Sequence, residues 1–113
     1  MDKNIYTFLG LAKKAGKLVS GADACDGALK SGKAFLVIVA EDASENTKKE
    51  FKDSCSYRGV DICFFGKKEL LGKYIGKDIR SVIAILDKGF AKELKAKIEN
   101  RSKEDGGGLN GEN

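Results

Sequence analysis

One run of residues limits this chain more than any other. Ala34-Phe-Leu-Val-Ile-Val-Ala40 is apolar throughout and rich in β-branched side chains. A strand of that kind has no polar side to turn towards water. It must be covered on both faces, which places it centrally in a sheet between helix layers. Two more apolar strands are expected, at Val60 to Phe65 and at Ser81 to Leu86. A short, weak one is expected at Lys17 to Ser20, where only Leu18 and Val19 suit a sheet.

The intervening segments read as helices. Ile5, Phe8, Leu9 and Ala12 form one apolar stripe within residues 3–15, and Lys13 and Lys14 crowd the last turn, where cations suit the negative helix end. A second helix is expected from Ser20-Gly21 to Gly32. Ser20 and Asp23 stand at the spacing of a capping box, and Ala22, Cys25, Ala28 and Leu29 give it an apolar face of small residues. A third helix, capped by Asp42 or Ser44, should run to about Tyr57 with Phe51 and Cys55 inward. Arg58-Gly59 turns the chain. Lys67 to Ile75 reads as a short helix with Leu70, Leu71, Tyr74 and Ile75 on or near its core side, and Phe90 to about Ile98 as a closing one. The order α-β-α-β-α-β-α-β-α predicts a single α/β domain over residues 1–99, a sheet between helix layers. Residues 100–113 are polar, contain Gly106-Gly107-Gly108 and show no periodicity, so they are expected to be a disordered tail.

Composition narrows the function classes. The net charge is +4. Residues 100–113 carry two cations against three anions, so the folded part is the more basic one. A mildly basic body favours a polyanionic partner and also serves solubility. There is no histidine, and Cys25, Cys55 and Cys63 show no Cys-x-x-Cys spacing. A Ser-His or Cys-His pair is therefore impossible, and the common zinc site, with four nitrogen or sulfur ligands, cannot be built. No cofactor, metal or catalytic role is expected. Reduced cysteines, no apolar leader at the N-terminus and no run long enough to cross a bilayer make the cytosol the expected compartment.

Gly27-Ala-Leu-Lys-Ser-Gly32-Lys33 fits the pattern of a phosphate loop, but Ala34 stands where a Mg²⁺-binding hydroxyl belongs. Its context is also reversed, since a working loop follows a strand and opens a helix. The carboxylate pairs Asp23/Asp26 and Glu41/Asp42 sit where capping or loop acids are expected. More informative are Lys13, Lys14 and Lys17, which lead into Ser20-Gly21, and Lys67, Lys68, Lys73, Lys77 and Arg80, which surround Gly76. If both regions lie at one end of the sheet, free helix amides beside lysines make a ledge that attracts anions. Two solvated helix surfaces would carry the same residues.

Several stretches resemble the L-seven-Ae / L-thirty-e ribosomal-protein family: Leu11-Ala-x-Lys-Ala-Gly-Lys17, Val19-Ser-Gly21, and Lys33-Ala-x-Leu-Val-Ile38 running on to Ala40-Glu-Asp42. Lys68-Glu-Leu-x-Gly72, Ile75-Gly-Lys77 and Ile85-x-Asp87-Lys-Gly-Phe-Ala91 are similar to its small bacterial YlxQ-type branch. The likeness covers about residues 3–98. It implies a three-layer α/β/α sandwich with a mixed four-stranded sheet. It also implies binding of kink-turn RNA, a sharply bent internal loop with tandem sheared G·A pairs, with ribosomal RNA or the ribosome as candidate partners; separately, a monomer is expected.

By that resemblance the contacts fall at Ser20 and at Gly21 to Gly27, and at Gly76, Lys77, Asp78, Ile79 and Arg80. Gly21 allows close backbone approach, with the amides of Ala22, Asp23 and Ala24 meeting the RNA. Ile79 touches a flipped-out base, and Lys77 and Arg80 reach phosphates; Lys13, Lys14 and Lys17, as the basic run leading into the helix start, are expected to add phosphate contacts. The chain departs from the family pattern on the second helix. Where archaeal-type members have Asn-Glu and then a lysine, it has Asp23, Ala24 and Gly27, with Lys30 one turn further on. Each lost polar base contact costs about 1–3 kcal/mol. The alternative is a protein-interaction module that kept the fold and lost specific RNA contacts.

Overall fold

The structure, a computed structural model, describes residues 2–107 and the side chains of residues 2–101. Nine elements follow one another as α1 (Lys3–Lys14), β1 (Leu18–Ser20), α2 (Ala22–Lys30), β2 (Leu36–Val39), α3 (Glu45–Arg58), β3 (Asp61–Phe64), α4 (Lys68–Tyr74), β4 (Val82–Ile85) and α5 (Lys88–Gly107). The strands form one mixed sheet in the order β1-β4-β2-β3, with β2 parallel to β3 and antiparallel to β4, and β4 antiparallel to β1. The central strands β2 and β4 are buried along their whole length, as continuous apolar runs require. Helices α2 and α3 pack on one face, and α1, α4 and α5 form the layer on the other. Phe51, Leu9, Leu71 and Leu94 fill the space between sheet and helices.

Several boundaries and contacts differ from the sequence-based expectation. Asp87 accepts a hydrogen bond from the Phe90 N–H (2.9 Å) and starts α5 at Lys88 rather than Phe90. That helix continues to Gly107, past Ile98 and into the stretch expected to be a disordered tail. Residues 108–113 of that expectation lie outside the described residues. Ser20 does not cap α2: it belongs to β1, Gly21 occupies the cap position, and no side chain caps the helix. Ala22 is exposed, so the apolar face of α2 is Cys25, Ala28 and Leu29. Leu70 likewise faces outward on α4. Of the two proposed caps of α3, Ser44 takes the role, accepting from the Thr47 N–H (3.1 Å). Asp42 instead accepts from the Lys68 N–H (2.9 Å), supplying the start of α4 with an acceptor from a distant loop.

Candidate nucleic-acid interface

The ends of β1 and β4 bring the two expected regions together. Ser20 pairs with Ile83 at the end of the ladder, and the Gly21 N–H donates to the Val82 carbonyl (3.0 Å). Past Gly21 the chain turns into α2. Gly21 has φ 95° and ψ 152°, a backbone conformation open essentially to glycine alone. The first helix amide with a carbonyl partner is that of Cys25, bonded to the Gly21 oxygen (3.0 Å). The amides of Ala22, Asp23 and Ala24 have no intrahelical acceptor, as at any uncapped helix start, and all three residues are exposed. Such a terminus carries partial positive charge.

The loop before β4 lies directly beside this start. Arg80 donates from Nε to the Ser20 hydroxyl (3.0 Å) and from Nη1 to the Ile79 carbonyl (3.0 Å). Two of the five N–H donors of the guanidinium are thereby engaged. The Arg80 N–H donates to the Lys68 carbonyl (3.0 Å), which fastens the loop to α4. Ile79 is held outward, 54% exposed. Gly72 makes this packing possible. A Cβ there would sit 1.7 Å from the Asp78 carbonyl oxygen, so only glycine lets the loop cross the helix at that distance.

Lys13 and Lys14 line a shallow groove with Tyr74, Ile75 and Gly76, so the end of α1 joins the same loop. Lys77 and Asp78 are exposed beside it. Two other candidates stand apart. Lys17 immediately precedes β1, at the end opposite Ser20 and roughly 10 Å from it at the usual rise per residue. Lys30 closes α2 and is paired with Asp26 (2.9 Å). Gly27 is exposed in the middle of α2 with open space around it. Gly72 is a further residue this interface needs, outside the expected contact positions. Gly72 stood within a quoted motif, but only the loop crossing explains why it must lack a side chain.

The phosphate-loop pattern is spent on ending α2. The N–H groups of Gly32, Lys33 and Ala34 donate to the carbonyls of Leu29 and Ala28, so they point back into the helix rather than towards a ligand. No group of three or more metal-ligating side chains occurs among the described residues. Burial pushes the thiol pKa of Cys25 up to about 12 and that of Cys55 up to about 11, and it raises that of Cys63 as well. No helix of the described residues is long and apolar enough to cross a membrane.

The layered sheet and the open helix start beside a fastened loop place the chain among small α/β/α sandwich domains. More particularly, it belongs to the Ribosomal protein L7Ae/L30e/S12e/Gadd45 family, which residues 3–95 match. It is 42% identical over 89 residues to the RNA-binding protein YlxQ of Bacillus subtilis (strain 168), covering 79% of this chain and 89% of that one. The RNA-binding protein YlxQ of Enterococcus faecium is 47% identical over 93 residues, 80% of this chain and 87% of its own. The large ribosomal subunit protein eL8 of Cenarchaeum symbiosum (strain A) is 33% identical over 91 residues, 80% and 72% of the two chains. Among solved structures, a protein of unknown function from Bacillus halodurans C superposes with a TM-score of 0.81 at 36% identity, over 84% of this chain and 96% of that one. The Giardia lamblia 15.5kD RNA binding protein shares the fold, with a TM-score of 0.72 at 23% identity and 88% coverage of each chain.

Proposed function

We propose that this protein binds structured RNA, a kink-turn or a related bend in ribosomal or other RNA, through the start of α2 and the Gly76–Arg80 loop. The observation that carries the reading is the hydrogen bond from Arg80 to Ser20. It makes one surface of two segments, so a single bent ligand can touch both. The Ala22 to Ala24 amides face the backbone of the bend, and Ile79 offers an apolar contact to an unstacked base. Lys13, Lys14, Lys77 and the remaining donors of Arg80 meet phosphates. Lys17 and Lys30 belong to this contact only if the RNA extends past the bend. No cofactor or covalent step is involved, and the ribosome is a partner in so far as its RNA supplies the bend.

The test is a filter-binding titration with a kink-turn hairpin beside one whose G·A pairs are changed to Watson–Crick pairs. The reading expects clear preference for the kinked form. Equal, weak binding to both rejects it. Asp23, Ala24 and Gly27, all exposed on α2, offer no side-chain donor to a base edge, and this favours a second reading as a protein-interaction module. Partners that survive ribonuclease during purification from cells would support that second reading.

A further inference from the structure

We propose that the opposite end of the sheet is a second nucleic-acid contact, a lysine-lined ledge where an unpaired base of single-stranded RNA stacks on Phe35. This goes beyond the bend-binding surface and does not depend on it. The end is defined by backbone bonds from Leu86 N–H to the Lys17 carbonyl and from Phe35 N–H to the Ile85 carbonyl, both 2.8 Å. Phe35 belongs to the most apolar run of the chain, yet it alone of that run points outward, 45% exposed, between buried Ala34 and Leu36. The core is closed without it.

Phe35 lines a groove of about 470 Å³ together with Lys88, Ala91, Lys92 and Lys95. Lys95 is held by Asp61 (3.1 Å). Lys88, Lys92 and the nearby Lys33 are exposed, and no carboxylate among the described residues pairs with them. Asp87, the acid closest in sequence, already accepts from the Phe90 N–H. Glu99 also lines the groove and is the acid that opposes this surface. A single exposed apolar side chain is ordinary on any surface. A flat ring bordered by cations that outnumber the acids beside them is what a strand of alternating base and phosphate fits, because every base has a π-face and every linkage a charge. An acidic protein segment would engage the lysines but leave the ring without a role.

The test uses a short, fluorescein-labelled, mixed-sequence single-stranded RNA, read by anisotropy, with the full chain. Phe35→Ala should weaken binding about fivefold or more, the lower end of what loss of one stacked base gives. Phe35→Trp should retain it. A combined Lys33→Glu, Lys88→Glu, Lys92→Glu variant should weaken it further and flatten its salt dependence. A minimal kink-turn hairpin, bound at the other end, should not distinguish Phe35→Ala or Phe35→Trp from the parent, whereas Ile79→Asp should show the reverse pattern. If no protein prefers the hairpin but the oligonucleotide still responds to Phe35→Ala, the bend reading falls and this one stands. Equal oligonucleotide binding by Phe35→Ala and the parent overturns it, whatever the lysine variant does, since diffuse attraction alone would give that. Equal losses in Phe35→Ala and Phe35→Trp also overturn it, given thermal melts that show both folded.

Discussion

At the scale of single residues, the candidate interface depends on side chains that are absent as much as on those present. Gly72 has the Asp78 carbonyl where a Cβ would be. Gly72→Ala must push the 76–80 loop off α4, and an overpacked site of this kind costs about 1–3 kcal/mol. Urea unfolding should show that loss, and kink-turn affinity should fall with it because Ile79 is displaced. Ile79→Asp separates the two effects. Its side chain is outward, so stability should hold while preference for the bent RNA over the paired control disappears. Lys77→Ala should instead weaken both RNAs alike. The buried thiols give a different expectation. Cys25 and Cys55 titrate well above the ordinary thiol value of 9.0 in the folded protein. A raised folded pKa contributes stability that is complete below the unfolded value and is lost as pH rises through the folded one. Stability should therefore hold below about pH 9 and decline towards pH 11–12. Iodoacetamide should leave both thiols unmodified until the chain unfolds.

At the scale of elements, the strands and helices were legible because their causes are local. Ala34 to Ala40 and Ser81 to Leu86 announced two buried strands by being apolar throughout, and both became the centre of the sheet. The order of all nine elements followed from alternation alone. What was not legible came from contacts between distant residues. Ser20 resembles a helix cap in the sequence, but it pairs in β1 and its hydroxyl accepts from Arg80, 60 positions away, while Gly21 takes the cap position of α2. The same holds for α4, whose first turn draws on Asp42 and on the Tyr6 hydroxyl, the latter accepting from the Lys67 N–H (3.1 Å). Asp42→Ala should therefore lower stability by about 0.5–2 kcal/mol, the usual effect of removing a cap, read as a lower urea midpoint. Of the candidate site, the helix start and the loop could be named from their motifs. The bond from Arg80 to Ser20 that joins them could not, since it links residues 60 positions apart.

At the scale of the whole molecule, the sheet separates two ends. At one, Gly21 and Arg80 sit together; at the other, Phe35 lies among lysines. With cationic side chains at the candidate interface, affinity for the kink-turn hairpin should fall steeply with salt, and Lys77→Ala should reduce the slope by about 1. The central claim is that two segments far apart in sequence make one RNA-binding surface. Amide chemical shifts followed while a kink-turn hairpin is titrated into the labelled protein test it most directly. The account expects Gly21 to Ala24 and Gly76 to Arg80 to shift together and saturate at the same ratio. Shifts confined to one of the two segments, or spread evenly over the lysine-bearing surface, would contradict it.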